Sequence, residues 1–317
     1  MGSRFVVMVM LLSLVQLVCP SCGPKPDRQQ RELSASVTQL EKERGWYVLV
    51  TSLDDISYLS LAERRLVSLY SRGNHKDLEW VGGASVSPDA TKLTFAVSAY
   101  ADSYSLIVLD LVTKREQAIA RMSHLFGPRW SPSGRRIAFK GVVNNHLGLD
   151  LYDLGRNETT VLVAEGVASG DGGLAWAPND TRLAYLTESL DVEIVDVATK
   201  ARYKVGRGYA PSWSHDGKYI AYLSYDRHAW VFHNLQTDQK EMIPVTDVGG
   251  DLVWSPDDRY VAYCGLNPGL WSRLGDLLSL MNRCGELWVM DVETKARARI
   301  FGAGSSLYPT DWAVIRR

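Results

Sequence analysis

Short runs of β-branched and aromatic residues, separated by polar turn clusters, recur along almost the whole chain. The first is Trp46-Tyr47-Val48-Leu49-Val50-Thr51, directly after Gly45, and it has the composition of a strand. From there each unit carries the same pieces. A strand ends near a tryptophan, a tight turn follows, and a second strand of Ile-Ala-Phe or Ile-Ala-Tyr type leaves it. A loop of variable length, a third strand bearing Asp, a second turn and a fourth strand complete the unit. Before this series, residues 31–44 are polar with sparse apolar positions (Leu33, Val37, Leu40), which predicts a short, loosely held amphipathic helix.

The tryptophan segment shows the repeat best. Trp130-Ser131-Pro132-Ser133-Gly134-Arg135-Arg136-Ile137-Ala138-Phe139 returns from Trp176, from Trp213 and from Trp254, with a weaker copy from Val86. The steps are 44, 46, 37 and 41 residues, a period that marks an array of like units, each too small to bury its own apolar face. Pro presets the first turn position, and Gly, Asn or Asp tolerates the left-handed conformation that follows. Ala90 breaks that rule, so its hairpin is expected to be the least ideal. Between third and fourth strands lies a second motif, as in Asp110-Leu111-Val112-Thr113 and Asp291-Val292-Glu293-Thr294, where the acid side chain bonds the backbone and closes a hairpin.

Six such outer hairpins can be counted against five tryptophan units. The missing innermost strand is Tyr308-Pro309-Thr310-Asp311-Trp312-Ala313-Val314-Ile315, if it enters the first unit beside Trp46–Thr51. The expectation is therefore an all-β, six-bladed propeller of four-stranded antiparallel blades over 45–317, closed by its C-terminal strand so that no edge is free. Trp130, Trp176, Trp213, Trp254 and Trp312, one per blade, are expected in the core.

Repeats of Trp-Ser-Pro-Asp-Gly type followed by an Asp-x-x-Thr hairpin resemble the TolB-type, or WD40-like, six-bladed β-propeller family over about residues 45–315. The resemblance implies a recognition scaffold and is unspecific about activity. TolB proteins carry an additional N-terminal α/β domain, for which the 14 polar residues 31–44 are too few. The propellers of prolyl-peptidase-type enzymes are similar as well, but no catalytic domain is expected here.

The N-terminus differs in kind. Arg4 precedes a 14-residue apolar run, Phe5 to Val18, short of the roughly 20 residues a spanning helix needs. Residues 1–22 are expected to be a signal peptide, and 23–44 a linker with the short helix. Cys22 after Ser21 resembles a bacterial lipoprotein processing site, although Cys19 stands where such sites carry Leu; lipidation of Cys22 and its absence both stand as readings. One acyl chain would tie the domain to a membrane surface. With Cys19 and Cys22 so accounted for, Cys264 and Cys284 are natural disulfide partners in an exported protein. The expected location is the periplasm or cell envelope.

Among 317 residues, 35 Lys and Arg stand against 36 Asp and Glu, a net charge of −1 that gives no field for nucleic acid. No Gly-x-Ser-x-Gly, His-Glu-x-x-His or Walker-type loop is present, so no cofactor and no catalytic residue are assigned. In a propeller the inter-blade loops and the loops from second to third strands gather on one face. Arg129, Asp171, Tyr209, Ser212, Asp251, Tyr308 and Asp311 are the channel-mouth candidates for a polar or peptide ligand. The loop 265–283 is 19 residues long and carries Leu270, Leu274, Leu277, Leu278 and Met281 at helical spacing, with Trp271 beside them. It is expected to be a disulfide-stapled helix for docking a partner or capping the channel. His146 and His228 fall on the same face as weak metal candidates, and Asp54-Asp55 is a comparably weak cation site. The function these features point to is non-catalytic recognition of a protein or peptide at the envelope. A carbohydrate-binding module and a metal-dependent hydrolase or lyase are the alternatives.

Overall fold

The structure is a computed structural model. It describes residues 28–314 apart from 53, 61–62, 64, 76, 100–102, 144–145, 171–172, 227–228, 245–247, 266–285 and 303–307. The proposed signal peptide, Cys22, the inserted helix and Cys284 lie outside the described residues.

Six four-stranded antiparallel sheets are present; in five of them the strands follow chain order with the first strand innermost, and in blade 1 the last strand of the chain takes the innermost place. Blade 1 holds β1 (Trp46–Thr51), β2 (Asp55–Ser60) and β3 (Arg65–Ser71). Blade 2 holds β4 (Leu78–Val86), β5 (Lys92–Ala99), β6 (Ser103–Asp110) and β7 (Glu116–Met122). Blade 3 is β8 (Leu125–Trp130), β9 (Arg136–Val143), β10 (His146–Asp153) and β11 (Glu158–Val163). Blade 4 is β12 (Leu174–Trp176), β13 (Arg182–Leu186), β14 (Asp191–Asp196) and β15 (Arg202–Arg207). Blade 5 is β16 (Tyr209–Trp213), β17 (Tyr219–Ser224), β18 (Ala229–Asn234) and β19 (Lys240–Pro244). Blade 6 is β20 (Val248–Trp254), β21 (Tyr260–Gly265), β22 (Glu286–Asp291) and β23 (Arg297–Gly302). The last strand, β24 (Tyr308–Val314), then pairs antiparallel with β1, with Tyr47 opposite Ala313 and Val48 opposite Trp312. The ring is closed in the way the strand count requires.

Blade faces are apolar on both sides, so each buries itself against two neighbours, and the core is a ring of six interfaces. Leu49 and Ile56 of blade 1 meet Leu93 and Phe95 of blade 2, and Trp130 and Phe139 of blade 3 meet Ala96 and Leu106 of blade 2. The remaining interfaces repeat the pattern round to Val48, Leu59, Val261-flanking Tyr260 and Val289 between blades 1 and 6. Trp130, Trp176, Trp213 and Trp254 are all buried in these interfaces, and two of them also bind across blades through the indole N–H. Trp176 donates to the Arg129 carbonyl at 3.1 Å and Trp254 to the Ser212 carbonyl at 3.3 Å.

The turns obey the predicted chemistry. The serine after the tryptophan position accepts the N–H five residues on, at 2.9 Å for Ser87, Ser214 and Ser255 and 3.1 Å for Ser131. The fifth motif position is left-handed throughout: Ala90, Gly134, Asp180, Gly217 and Asp258 have φ of 59°, 72°, 64°, 73° and 57°. A non-glycine residue there costs about 1–2 kcal/mol. Ala90 carries that strain without a polar side chain, whereas the two acids offset it by reaching the turn of the preceding blade. Asp258 accepts the backbone N–H groups of His215 and Asp216, both at 2.7 Å, and Asp180 accepts the Ser133 N–H at 3.1 Å. In the outer hairpins Asp110, Asp196 and Asp291 accept two successive backbone N–H groups, as expected, and Asp153 does the same.

The helix ahead of blade 1, α1, runs Arg28–Arg44, starting three residues before the expected segment, and it is docked rather than loosely held. Leu33 and Val37 are buried against blades 1 and 6, and the buried Glu41 accepts from Ser60 Oγ at 2.8 Å. Gly45 ends it in the left-handed conformation, φ 66°, with its N–H on the Glu41 carbonyl. Two apolar positions one turn apart were enough to hold it, once a groove between blades was there to receive them.

Candidate functional site

Each inner strand starts on one face of the propeller, here called the upper face, and ends at the tryptophan turn on the lower face. Three residues before the tryptophan position the backbone turns left-handed at Gly83, Gly127, Gly173 and Ala210. The ladder to the second strand breaks beside Gly83, Gly127 and Ala210, which is the geometry of a bulge. Blade 6 carries Asp251 at this position in the motif.

Asp251 is where the channel concentrates its charge. Burial pushes its carboxyl up, while Arg129 and Lys140 hold it down. Blades 3 and 6 stand opposite each other in a six-membered ring, so these charges address one another across the channel. Arg129 is braced by the Pro128 carbonyl at 3.0 Å and reaches the Ala84 carbonyl of blade 2 at 3.5 Å. Lys140 on β9 is fully buried. At the mouth, Tyr209 and the exposed Tyr225 lie with ring centroids 4.8 Å apart. Burial, then Tyr225 and Asp251, push the Tyr209 hydroxyl up to about 12, so it remains a hydrogen-bond donor at any physiological pH. A second aromatic group crowns blades 2 and 3, where Tyr104 lies 6.0 Å from Trp80, 5.4 Å from His124 and 5.9 Å from Phe126. Acid and bases in the throat, with phenol and aromatic faces above them, can hold a polar, amphipathic ligand by many modest contacts.

The sequence candidates divide. Tyr209 and Asp251 are brought together, with Arg129 in electrostatic reach. Arg129 and Ser212 each sit one residue before a tryptophan, near the lower ends of β8 and β16, and so lie deeper than the mouth. Ser212 is buried and its carbonyl serves Trp254. Asp171, His228 and the inserted Leu270, Trp271, Leu274, Leu277, Leu278 and Met281 lie outside the described residues, as do the side chains of Tyr308, Asp311 and His146. Cys264 is buried on β21, where it pairs with Leu287 of β22. The carboxylate of Asp54 is engaged by Arg72 at 2.5 Å. Among the described residues no group of three His, Cys, Asp or Glu is placed to hold a metal ion, and no helix is long and apolar enough to cross a membrane.

Lys140, Tyr225 and the blade 2–3 rings escaped the sequence argument. Lys140 did leave a signal: the equivalent repeat positions hold Ala96, Leu186, Leu223 and Cys264, so a lysine there is out of pattern.

The sequence matches no protein-family model and no curated protein. Solved structures do resemble it. The crystal structure of TolB from Acinetobacter baumannii aligns with a TM-score of 0.69 at 15% identity, covering 92% of this chain and 74% of that one. The fold is the TolB-type propeller. The structure described as putative TolB from Agrobacterium tumefaciens gives 0.59 at 13% identity, over 83% of this chain and 96% of that one. An oligogalacturonate lyase in complex with manganese gives 0.55 at 15% identity, over 78% and 70%. At these identities the likeness concerns the fold, and the same scaffold carries both a TolB and a lyase among these neighbours.

Proposed function

We propose that the protein is an exported, non-catalytic recognition propeller of the cell envelope, taking a protein or peptide partner on its upper face. The observation that carries this is the throat itself: Asp251 opposed by Arg129 and Lys140 beneath the Tyr209–Tyr225 pair. Charges of both signs and two phenols suit the donors and acceptors of a polypeptide better than the single-sign site a phosphate or metal wants. The TolB-type fold supports the reading as a scaffold on which loops bind and sheets hold. On this proposal residues 1–22 direct export, Cys22 is a candidate for acylation, and a Cys264–Cys284 bridge staples the 265–283 insertion over the same face. Purified protein, used as bait in envelope extract, is expected to retain a discrete protein. A variant lacking 266–282 and an Asp251→Asn, Arg129→Ala double variant are expected to lose it. Identical captures from all three baits would refute the proposal, and capture of glycan alone would favour the carbohydrate-binding alternative.

A further inference from the structure

The groove that α1 fills between blades 6 and 1 recurs one blade earlier, where no described segment covers it. Leu33 and Val37 of α1 are buried in one cluster with Trp46, Tyr260, Val289 and Ala298. The strand registers locate the counterparts of these four residues between blades 5 and 6. Val48 stands opposite Trp312 and Val261 opposite Trp254, so Trp46 corresponds to Arg259. Tyr260 opposes Asp291 and Tyr219 opposes Asn234, the residues that open equivalent outer hairpins, so Tyr260 corresponds to Tyr219 and Val289 to Phe232. Ala298 pairs with Val289 as Glu241 pairs with Phe232. Arg259, Tyr219, Phe232 and Glu241 border a single cavity of about 510 Å³, together with Val292 and Lys295.

The floor of this cavity departs from its siblings. Blades 2, 3 and 4 carry Lys92, Arg136 and Arg182 at the Tyr219 position. Blades 1, 5 and 6 carry tyrosine. Tyr47 is buried edge-on against Tyr58, and Tyr260 is buried in the α1 cluster. Tyr219 is left half-buried, its ring stacked 6.4 Å from that of Trp254. Charge tells the two grooves apart near the tryptophan turn. There Glu41 of α1 accepts the Ser60 hydroxyl at 2.8 Å. Ser60 corresponds to Asp291, since Leu59 opposes Val48 as Met290 opposes Val261. Asp291 is buried beneath Arg259, whose Nε lies 3.3 Å away and whose side chain is 63% exposed. A helix seated here like α1 would therefore bring an acid at the Glu41 position to a guanidinium. Lys295 reaches Glu241 at 2.9 Å across the cavity, a partly exposed ion pair that costs little to open.

We propose that this groove docks an amphipathic helix of a partner protein, lying along β19 as α1 lies along β23. The helix carries two aliphatic residues one turn apart and a carboxylate a turn further on, the spacing of Leu33, Val37 and Glu41. The aliphatic pair covers Tyr219, Phe232 and Val292, and the carboxylate pairs with Arg259. The chain's own helix shows that two such residues are enough to seat a helix in a groove of this register. The groove opens beside the lower-face turn of blade 6, away from the throat, and stands or falls independently of the function proposed above.

The probe is a fluorescent, side-chain-stapled peptide with the sequence of residues 28–44, titrated with the intact protein and followed by anisotropy. The staple supplies the helicity that so short a peptide lacks in water, and the covalently tethered α1 keeps the peptide out of its own groove. Binding is expected to saturate below about 1 mM and to be lost in a peptide carrying Leu33→Asp and Val37→Asp. Protein Tyr219→Lys, which installs the residue type of blade 2, is expected to bind about tenfold more weakly or worse. Arg259→Glu is expected to weaken binding to a similar extent, and a peptide carrying Glu41→Lys to recover it. That charge exchange keeps the result readable should Tyr219→Lys fail to fold. No saturation by about 1 mM, unchanged affinity in folded Tyr219→Lys, or no recovery on charge exchange would overturn the proposal. Self-association of the protein that Tyr219→Lys abolishes would give the groove to a second copy and overturn it as well.

Discussion

Replacing Asp150 with Asn removes a buried carboxyl, opposite Phe139, whose oxygens receive no hydrogen bond. Nothing else of comparable size changes, so the effect on stability should depend on pH in a defined way. Burial pushes this carboxyl from 3.8 up to about 7 in the folded protein. Below about pH 4 it is protonated whether the chain is folded or not, and it has no electrostatic effect on stability. Between about pH 4 and 7 the unfolded chain releases the proton while the folded one retains it, so wild-type stability falls as pH rises. Above pH 7 both states are ionised and the cost stays constant. The displacement corresponds to about 4 kcal/mol at full extent. An amide at this position leaves its own unmet hydrogen bonds, but that cost does not vary with pH. Guanidinium unfolding of both proteins at pH 4, 6 and 8 is therefore read as a difference of differences. The variant is expected to gain on wild type by about 4 kcal/mol from pH 4 to pH 8, with most of the gain complete by pH 7. Phe139→Tyr is expected to reduce the wild-type slope, since the Tyr185–Glu193 pair shows that a hydroxyl fits this register. Parallel stability curves for wild type and Asp150→Asn would refute the reasoning, because a carboxyl indifferent to pH is not held as described.

Other consequences can be checked with simpler measurements. Trp254→Ala removes a ring packed at 5.4 Å against Phe232 and an indole bond to blade 5, and should cost about 3–5 kcal/mol by chemical denaturation. Asp258→Gly keeps the left-handed backbone but loses two cross-blade N–H bonds, and is expected to cost about 1–3 kcal/mol, measured the same way. If Cys264 and Cys284 are bridged as proposed, reduction of the intact exported protein raises its mass by two hydrogens and exposes two alkylatable thiols.

How much of this was legible beforehand follows from the physics of repeats. The turn residues fix local φ and the tryptophans fix a recurrent packing position, so strand order, blade count and closure by β24 could be reasoned from spacing alone. The Asp-x-x-Thr hairpins were visible for the same reason, since the bonds they make are within five residues. What was hidden depends on neighbours distant in sequence. Asp258 was recognisable as a residue tolerant of a left-handed turn, but not as the group that ties blade 6 to the turn at His215. Asp150 appeared as one polar residue in an alternating strand; only the register opposite Phe139, and the contrast with Glu193 opposite Tyr185, shows that it is unpaired. Arg129 and Ser212 read as inter-blade loop residues just before innermost strands, whereas both lie inside those strands, in β8 and β16, one residue before the tryptophan. The helix α1 looked loosely held because its apolar stripe is sparse, and the groove between blades 1 and 6 that receives Leu33 and Val37 exists only when the ring is closed.

The central claim is that the upper face is where this propeller meets its partner. Site-specific photo-crosslinking in intact cells separates that face from its opposite. A photoreactive residue at Tyr225, exposed on the upper face, should capture a protein, and one at Val112, 80% exposed on a lower-face hairpin, should not. Capture from Val112 with none from Tyr225 would contradict the account.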